Sequence, residues 1–181
     1  MNYNNNWLRE RYNAGEQLKY LFFWGHQPSA DGSVTKSCFS QWWVSPFTVD
    51  GITYKTAEHW MMAGKARLFN DAEILEEILQ ADSPAEAKQL GRKVRDFDAA
   101  SWDQHKFTLV VDGNFHKFSQ QEPLRTFLAN TGDRVLAEAS PRDAIWGIGM
   151  GASNPNVENP LLWKGQNLLG YALMETRDKL K

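Results

Sequence analysis

The sequence has one cysteine, Cys38, among 181 residues, so no internal disulfide can form and the chain suits a reducing compartment. It also lacks any apolar run near the roughly 20 residues that cross a bilayer. The polar start from Met1 to Asn6 has neither the basic nor the apolar stretch of a secretory signal, so the expected address is cytoplasmic, with no membrane partner. Excess charge of one sign is missing too. Twenty Lys and Arg against 22 Asp and Glu leave a net charge of −2, which gives no field to hold a nucleic acid nonspecifically, so any such contact must be local. His26, His59, His105 and His116 have no HExxH or CxxC neighbours, and no GxSxG or Walker-type loop is present. Metal, serine-nucleophile and phosphate-loop chemistry are therefore set aside, and no cofactor is expected. Cys38, beside Phe39, reads as a packed thiol, since nothing near it in sequence would depress its pKa.

Aromatic residues are what the chain has in quantity, with 8 Trp and 10 Phe. Such rings fill cores and also offer faces on which nucleobases stack. Residues 7–19 suit a short helix or an arm, and Tyr20 to Trp24 has the β propensity of a buried strand ending at Gly25. His26 to Ser37 is rich in turn formers and reads as a surface loop. Asp50-Gly51 between Phe47-Thr48-Val49 and Ile52-Thr53-Tyr54 marks a type I′ hairpin. Thr56 caps a helix to about Leu68, Asn70 opens another, and Ser83-Pro84-Ala85-Glu86 starts a third reaching about Val94. A long helix follows Trp102 despite Gly113, another runs from Glu122 to Asn130, and the last covers about Gln166 to Leu180. Arg134 to Ala139 suits a strand. Asp143 to Gly149 reads as a strand end breaking into a glycine-rich loop. The length predicts one domain, residues 20–181, preceded by an arm at 1–19.

Two carboxylates stand out. Glu58, in the first turn of its helix, faces the positive end of the helix dipole, which favours its ionised form. That suits a base, a nucleophile or a stabiliser of positive charge better than a proton donor; the plain alternative is helix stabilisation. Glu58 and Lys65 share a helix face but lie roughly 10 Å apart along the axis at about 1.5 Å per residue, so they suit two ends of an extended ligand. Asp143 precedes Trp146 and Gly147, where glycine lets a ligand approach the main chain, or it caps its own turn. Arg92 and Arg95, three apart, suit a phosphate-binding pair, with an ordinary solvated helix face as the plain alternative.

The order of the segments carries more than any one of them. Phe22-Phe23-Trp24-Gly25, Phe39-Ser40-Gln41-Trp42, Thr56-Ala57-Glu58-His59-Trp60 with Lys65, Gly91-Arg92, Trp102, Asp143-Ala144-Ile145-Trp146-Gly147 and Gly165-Gln166-Asn167-Leu168-Leu169-Gly170 follow in turn. From about Tyr20 to Lys179 this resembles the NADAR family, also called YbiA-like. The resemblance implies a single compact α+β domain, mainly helical, with a short β-hairpin and a small sheet. It implies a metal-independent N-glycosidase acting on ribosyl–nitrogen bonds. The two substrate classes linked with the family are ADP-ribose on guanine, free or in DNA or RNA, and phosphoribosylamino-pyrimidine intermediates of riboflavin biosynthesis. A non-catalytic ADP-ribose-binding module is the rival of another class.

The family's catalytic residues match Glu58, Asp143 and Trp102. Phe23, Trp24, Gly25, Lys65, Arg92, Trp146, Gly147 and Asn167 are the expected substrate-binding positions. In this assignment Phe23, Trp24 and Trp102 stack on the base, while Lys65 and Arg92 meet phosphate. The loop at 149–160 is longer than in the compact bacterial members, so their substrate preference is not carried over. Two flanking carboxylates serve either a retaining or an inverting course.

Overall fold

The computed structural model describes residues 1–181, which form two compact units, one of residues 1–40 with 123–181 and one of residues 41–122. Its elements are mainly helical with two small sheets, as the sequence implies.

The second unit holds the hairpin of β2 (Phe47–Val49) and β3 (Ile52–Tyr54) and helices α2 (Ala57–Leu68), α3 (Ala72–Gln80), α4 (Pro84–Gly91) and α5 (Ala99–Ser119). Asp50 and Gly51 both take positive φ, 49° and 79°, as a type I′ turn demands. All four helices have side-chain caps at their starts, Thr56 for α2, Asp71 for α3, Ser83 for α4 and Asp98 for α5. The second helix differs from expectation at its start. Asn70 sits at φ 55° and closes the preceding turn, while Asp71 caps α3 by accepting from the Ile74 amide. Helix α4 ends at Gly91 rather than Val94, and α5 begins before Trp102, because Asp98 accepts from the Ser101 amide at 2.7 Å. Gly113 survives inside α5 for a packing reason: a Cβ there would lie 2.4 Å from Cδ1 of Trp60, whose indole donates to the Leu109 carbonyl at 2.9 Å. The Trp60 ring also meets Tyr54 and His116 edge-on or tilted, tying the hairpin to α2 and α5.

The other unit holds α1 (Asn5–Asn13), β1 (Tyr20–Phe23), α6 (Glu122–Ala129, its first residue belonging to the second unit), β4 (Val135–Glu138) and α7 (Leu168–Lys179), with 3-10 turns at Lys36–Phe39 and Pro160–Leu162. Strands β1 and β4 pair in parallel with Tyr20 opposite Val135 and Phe23 opposite Glu138. Phe23, Phe39, Leu128, Leu136, Leu169 and Tyr171 form the heart of this unit, each 2% exposed or less. Residues 143–149 contain no strand, which corrects the expectation for that stretch. They fold into tight turns because Ile148 and Gly149 donate to the carbonyls of Glu138 and Asp143, leaving no edge for pairing.

Helix α7 rides directly on the β4 backbone. A Cβ on Gly170 would lie 2.1 Å from the Leu136 carbonyl oxygen and 2.5 Å from Oδ1 of Asn167. Gly170→Ala is expected to cost about 1–3 kcal/mol through the shift it forces, read as a lowered denaturant midpoint; an unchanged midpoint would show that α7 can move away freely.

Candidate active site

In the second unit the site residues are set by the first turns of α2 and α5. Thr56 accepts from the His59 amide at 3.3 Å, and the Glu58 amide donates to the Gln41 carbonyl at 3.0 Å. Gln41 is itself held by Nε2 donating to Oδ1 of Asn114, whose own amide donates to the Val110 carbonyl. Glu58 is thus fixed through its main chain as well as by its helix, and it is 3% exposed. Keeping a carboxylate in the interior is costly, which sets Glu58 apart from an ordinary solvated first-turn glutamate.

His59 beside it is structural. Its Nε2 faces the Ala81 carbonyl at 3.1 Å, so that nitrogen carries the proton and donates, and Nδ1 accepts from the Thr56 hydroxyl at 2.8 Å. Burial pushes its pKa down, which keeps the ring neutral and locks the α2 start against the end of α3.

Two turns along α2, Lys65 is half-buried. Its ammonium donates to the Gly91 carbonyl at 2.7 Å, lies 4.1 Å from the Phe97 ring centre and 5.8 Å from that of Trp102. Desolvation lowers its pKa, while the two ring faces favour the charged form. The structure therefore brings Lys65 and Trp102 together and adds Phe97, which sequence reading missed. The one available signal was an apolar ring alone in the polar turn from Arg95 to Asp98.

Arg92, by contrast, is exposed at the end of α4. The proposed pair of Arg92 with Arg95 does not form a phosphate site. Arg95 closes a two-pronged bond on Asp71, Nη2 to Oδ1 at 2.6 Å and Nε to Oδ2 at 3.1 Å, and its Nη2 also reaches Glu73 at 3.1 Å. The guanidinium edge that would take a phosphate is already occupied by a carboxylate.

In the other unit, Asp143 accepts the Ile145 and Trp146 amides on Oδ1 at 2.9 and 2.8 Å, so it does cap its own turn. Both of these bonds fall on one oxygen, which leaves Oδ2 for a ligand. Trp146 is half-buried and Gly147 buried; a Cβ on Gly147 would come within 2.9 Å of the Glu138 carbonyl, so glycine is needed there for packing. Trp24 is 62% exposed and Gly25 follows it at φ 84°.

Two expectations change here. Phe23, 1% exposed, packs edge-on against Phe39 at 5.4 Å and is a core ring, not a stacking platform. Asn167, fully buried, accepts the Glu138 amide on Oδ1 and donates from Nδ2 to the Leu136 carbonyl, both at 3.0 Å. Both ends of its amide hold β4, so it positions the framework rather than contacting substrate.

Comparison with known proteins extends this picture. The NADAR domain model matches residues 22–181. N-glycosidase R617 of Acanthamoeba polyphaga mimivirus is 40% identical over 169 residues, covering 91% of this chain and 98% of the relative. N-glycosidase YbiA of Escherichia coli strain K12 is 34% identical over 142 residues, 78% of this chain and 80% of the relative. The NMR structure of the Escherichia coli protein YbiA superposes with a TM-score of 0.69 at 31% identity, covering 90% of this chain and 86% of that one.

Opening the cover over the Lys65 ammonium by Phe97→Ala is expected to move its titration back toward the ordinary lysine value, followed by NMR of the side-chain nitrogen; an unmoved titration would locate the desolvation elsewhere. The Asp71 carboxyl is held well below the usual range by Arg95, so its contribution to stability is complete above the unfolded pKa of about 3.9 and is lost as pH falls through the lower folded value. Asp71→Asn should lower the denaturant midpoint at neutral pH and flatten its acid decline; equal acid limbs in both proteins would refute the pairing.

Proposed function

The chain belongs to the NADAR domain family, and on that footing we propose that it is an N-glycosidase that hydrolyses a ribosyl C1–N bond, releasing ADP-ribose from ADP-ribosylated guanine. The observation that carries the proposal is the buried, doubly anchored Glu58 at the start of α2. Breaking a ribosyl C1–N bond places positive charge on C1 and the ring oxygen, and a carboxylate fixed beforehand in a poorly solvated position stabilises that charge without reorganising. Glu58 supplies this. The bond electrons leave with the base nitrogen, water adds through its oxygen to C1, and the proton lost by that water replaces the base's bond to ribose. Glu58 takes the water proton.

Aromatic faces support the guanine-linked substrate, which carries two purines. Trp102 and Phe97, both beside Lys65, offer faces for flat bases. Lys65 and Arg92 are the cations assigned to phosphate. A second reading, a phosphoribosylamino-pyrimidine substrate, gains from the withdrawal of Arg95: a single phosphate needs fewer cations than a diphosphate.

Glu58→Gln keeps the side-chain shape and removes the charge. It is expected to cut turnover by more than about a hundredfold while the protein stays folded; hydrolysis near the wild-type rate would overturn the assignment. Parallel assays of an ADP-ribosylated guanine oligonucleotide and the phosphoribosylamino-pyrimidine, with release read by mass spectrometry, decide the substrate. Binding of ADP-ribose with no release from either would support a non-catalytic reader instead.

A further inference from the structure

Helix α1 lies ahead of residues 22–181, the stretch that the domain model matches, yet it is docked on the rest of its unit. Asn4 caps it by accepting the Trp7 amide at 2.9 Å, Leu8 is fully buried, and the Tyr3 hydroxyl donates to Asp178 on α7. Asn5 uses both ends of its side-chain amide on other elements. Its Oδ1 accepts the hydroxyl of Tyr171, a fully buried residue of α7, at 2.8 Å, and its Nδ2 donates to the Gly165 carbonyl at 3.1 Å.

At Gly165 that grip reaches the turn of Asp143. A Cβ on Gly165 would lie 2.2 Å from the Gly147 carbonyl oxygen, and its amide donates to the Ile148 carbonyl at 2.9 Å. The next residues continue the contact, the Gln166 amide on the Ala144 carbonyl at 2.9 Å and the Leu168 amide on the Ile145 carbonyl at 3.2 Å. Residues 144–148 are therefore held through their main chain by 165–168. Asp143 is tied to the same turn, because its Oδ1 accepts the Ile145 and Trp146 amides. Backbone packed this closely passes a displacement on instead of absorbing it, so a shift of Gly165 carries the Asp143 carboxylate with it. All of these residues belong to one unit.

We infer that Asn5 is a positioning residue for Asp143: through Gly165 it sets where the second carboxylate oxygen, Oδ2, is presented to the substrate. The inference rests on the glycosidase reading and on Asp143 meeting the substrate through the oxygen that the two amides leave open. Helix α1 is then part of the working enzyme and not only a cover for α7. Misplacing a group by about 1 Å costs up to about a hundredfold in rate, so one amide on the far side of the turn is enough to matter.

The test compares Asn5→Asp, Asn5→Ala and Asp143→Asn in the full chain. An Asp in the first turn of α1, which has no acid there, is favoured by the helix dipole and keeps the acceptor for Tyr171. It replaces the donor to Gly165, however, with an oxygen that repels the carbonyl. Asn5→Asp is therefore expected to keep the melting temperature while shifting the Ile145 and Trp146 amide NMR signals, which report the Asp143 cap. Asn5→Ala should shift the same signals. With the ADP-ribosylated guanine oligonucleotide or the phosphoribosylamino-pyrimidine, whichever is cleaved, Asn5→Asp should lower kcat about tenfold with KM changed by less than about twofold. On an Asp143→Asn background the same change should cost less than about twofold in kcat, because the two residues act as one unit. A merely structural Asn5 would instead lower the melting temperature and leave kcat unchanged. Unmoved Ile145 and Trp146 signals in both Asn5 variants, which are read without substrate, would overturn the inference whether or not either compound is cleaved. So would a wild-type kcat in Asn5→Asp where Asp143→Asn is slow, an outcome that leaves the glycosidase reading standing. Cleavage at the wild-type rate by Asp143→Asn would remove the role of Asp143 and the inference with it.

Discussion

The proposed chemistry depends on the start of α2, where a carboxylate is held inside the protein. Four unpaired amides and a partial positive charge at a helix N-terminus attract a carboxylate, but that attraction alone leaves a first-turn glutamate in solvent. Here the Thr56 cap, the neutral His59 bridge to Ala81 and the Gln41 carbonyl on the Glu58 amide hold the turn from three directions. Glu58 is fixed inside as a result. A carboxylate that must stabilise charge during a reaction works best when its surroundings are already arranged, and this one has its main chain, helix and neighbours set before any substrate arrives.

The other unit solves a different problem, which is to hold a short parallel pair of strands and a turn-rich segment in register. Two residues at the head of α7 do most of this. Gly170 lets the helix touch the Leu136 carbonyl, and Asn167, in a left-handed conformation, bonds the β4 main chain at two points. The turns at 143–149 then grow from the end of β4 through the Glu138 carbonyl, and Asp143 is presented with one oxygen satisfied and the other free. Asn167 therefore bears on the site through the framework it holds.

Much of the local structure was legible in the residues. Asp50-Gly51 named its turn because few residues tolerate positive φ twice in succession, and Thr56 and Ser83 named helix starts because their hydroxyls meet orphan amides. The Asn70 position was misread, since either Asn70 or the adjacent Asp71 can cap a helix, and only the Ile74 amide chose between them. The pairing of Arg95 with Asp71 spans 24 residues, and that distance hid it: sequence spacing shows which charges share a helix face but not which ones meet across helices. Phe97 over Lys65 was hidden for the same reason.

The sequence by itself determined the helical character, the hairpin, the caps of α2 and α4 and the family, because these rest on local conformational preference and on an ordered set of short motifs. Tertiary structure alone decided which of the marked residues are free to act. It buried Glu58, took Phe23 into the core, bound Asn167 to β4 and Arg95 to Asp71, and left Trp24 and one oxygen of Asp143 open. The reason is that burial and pairing depend on what distant parts of the chain bring alongside a residue, and no local pattern encodes that.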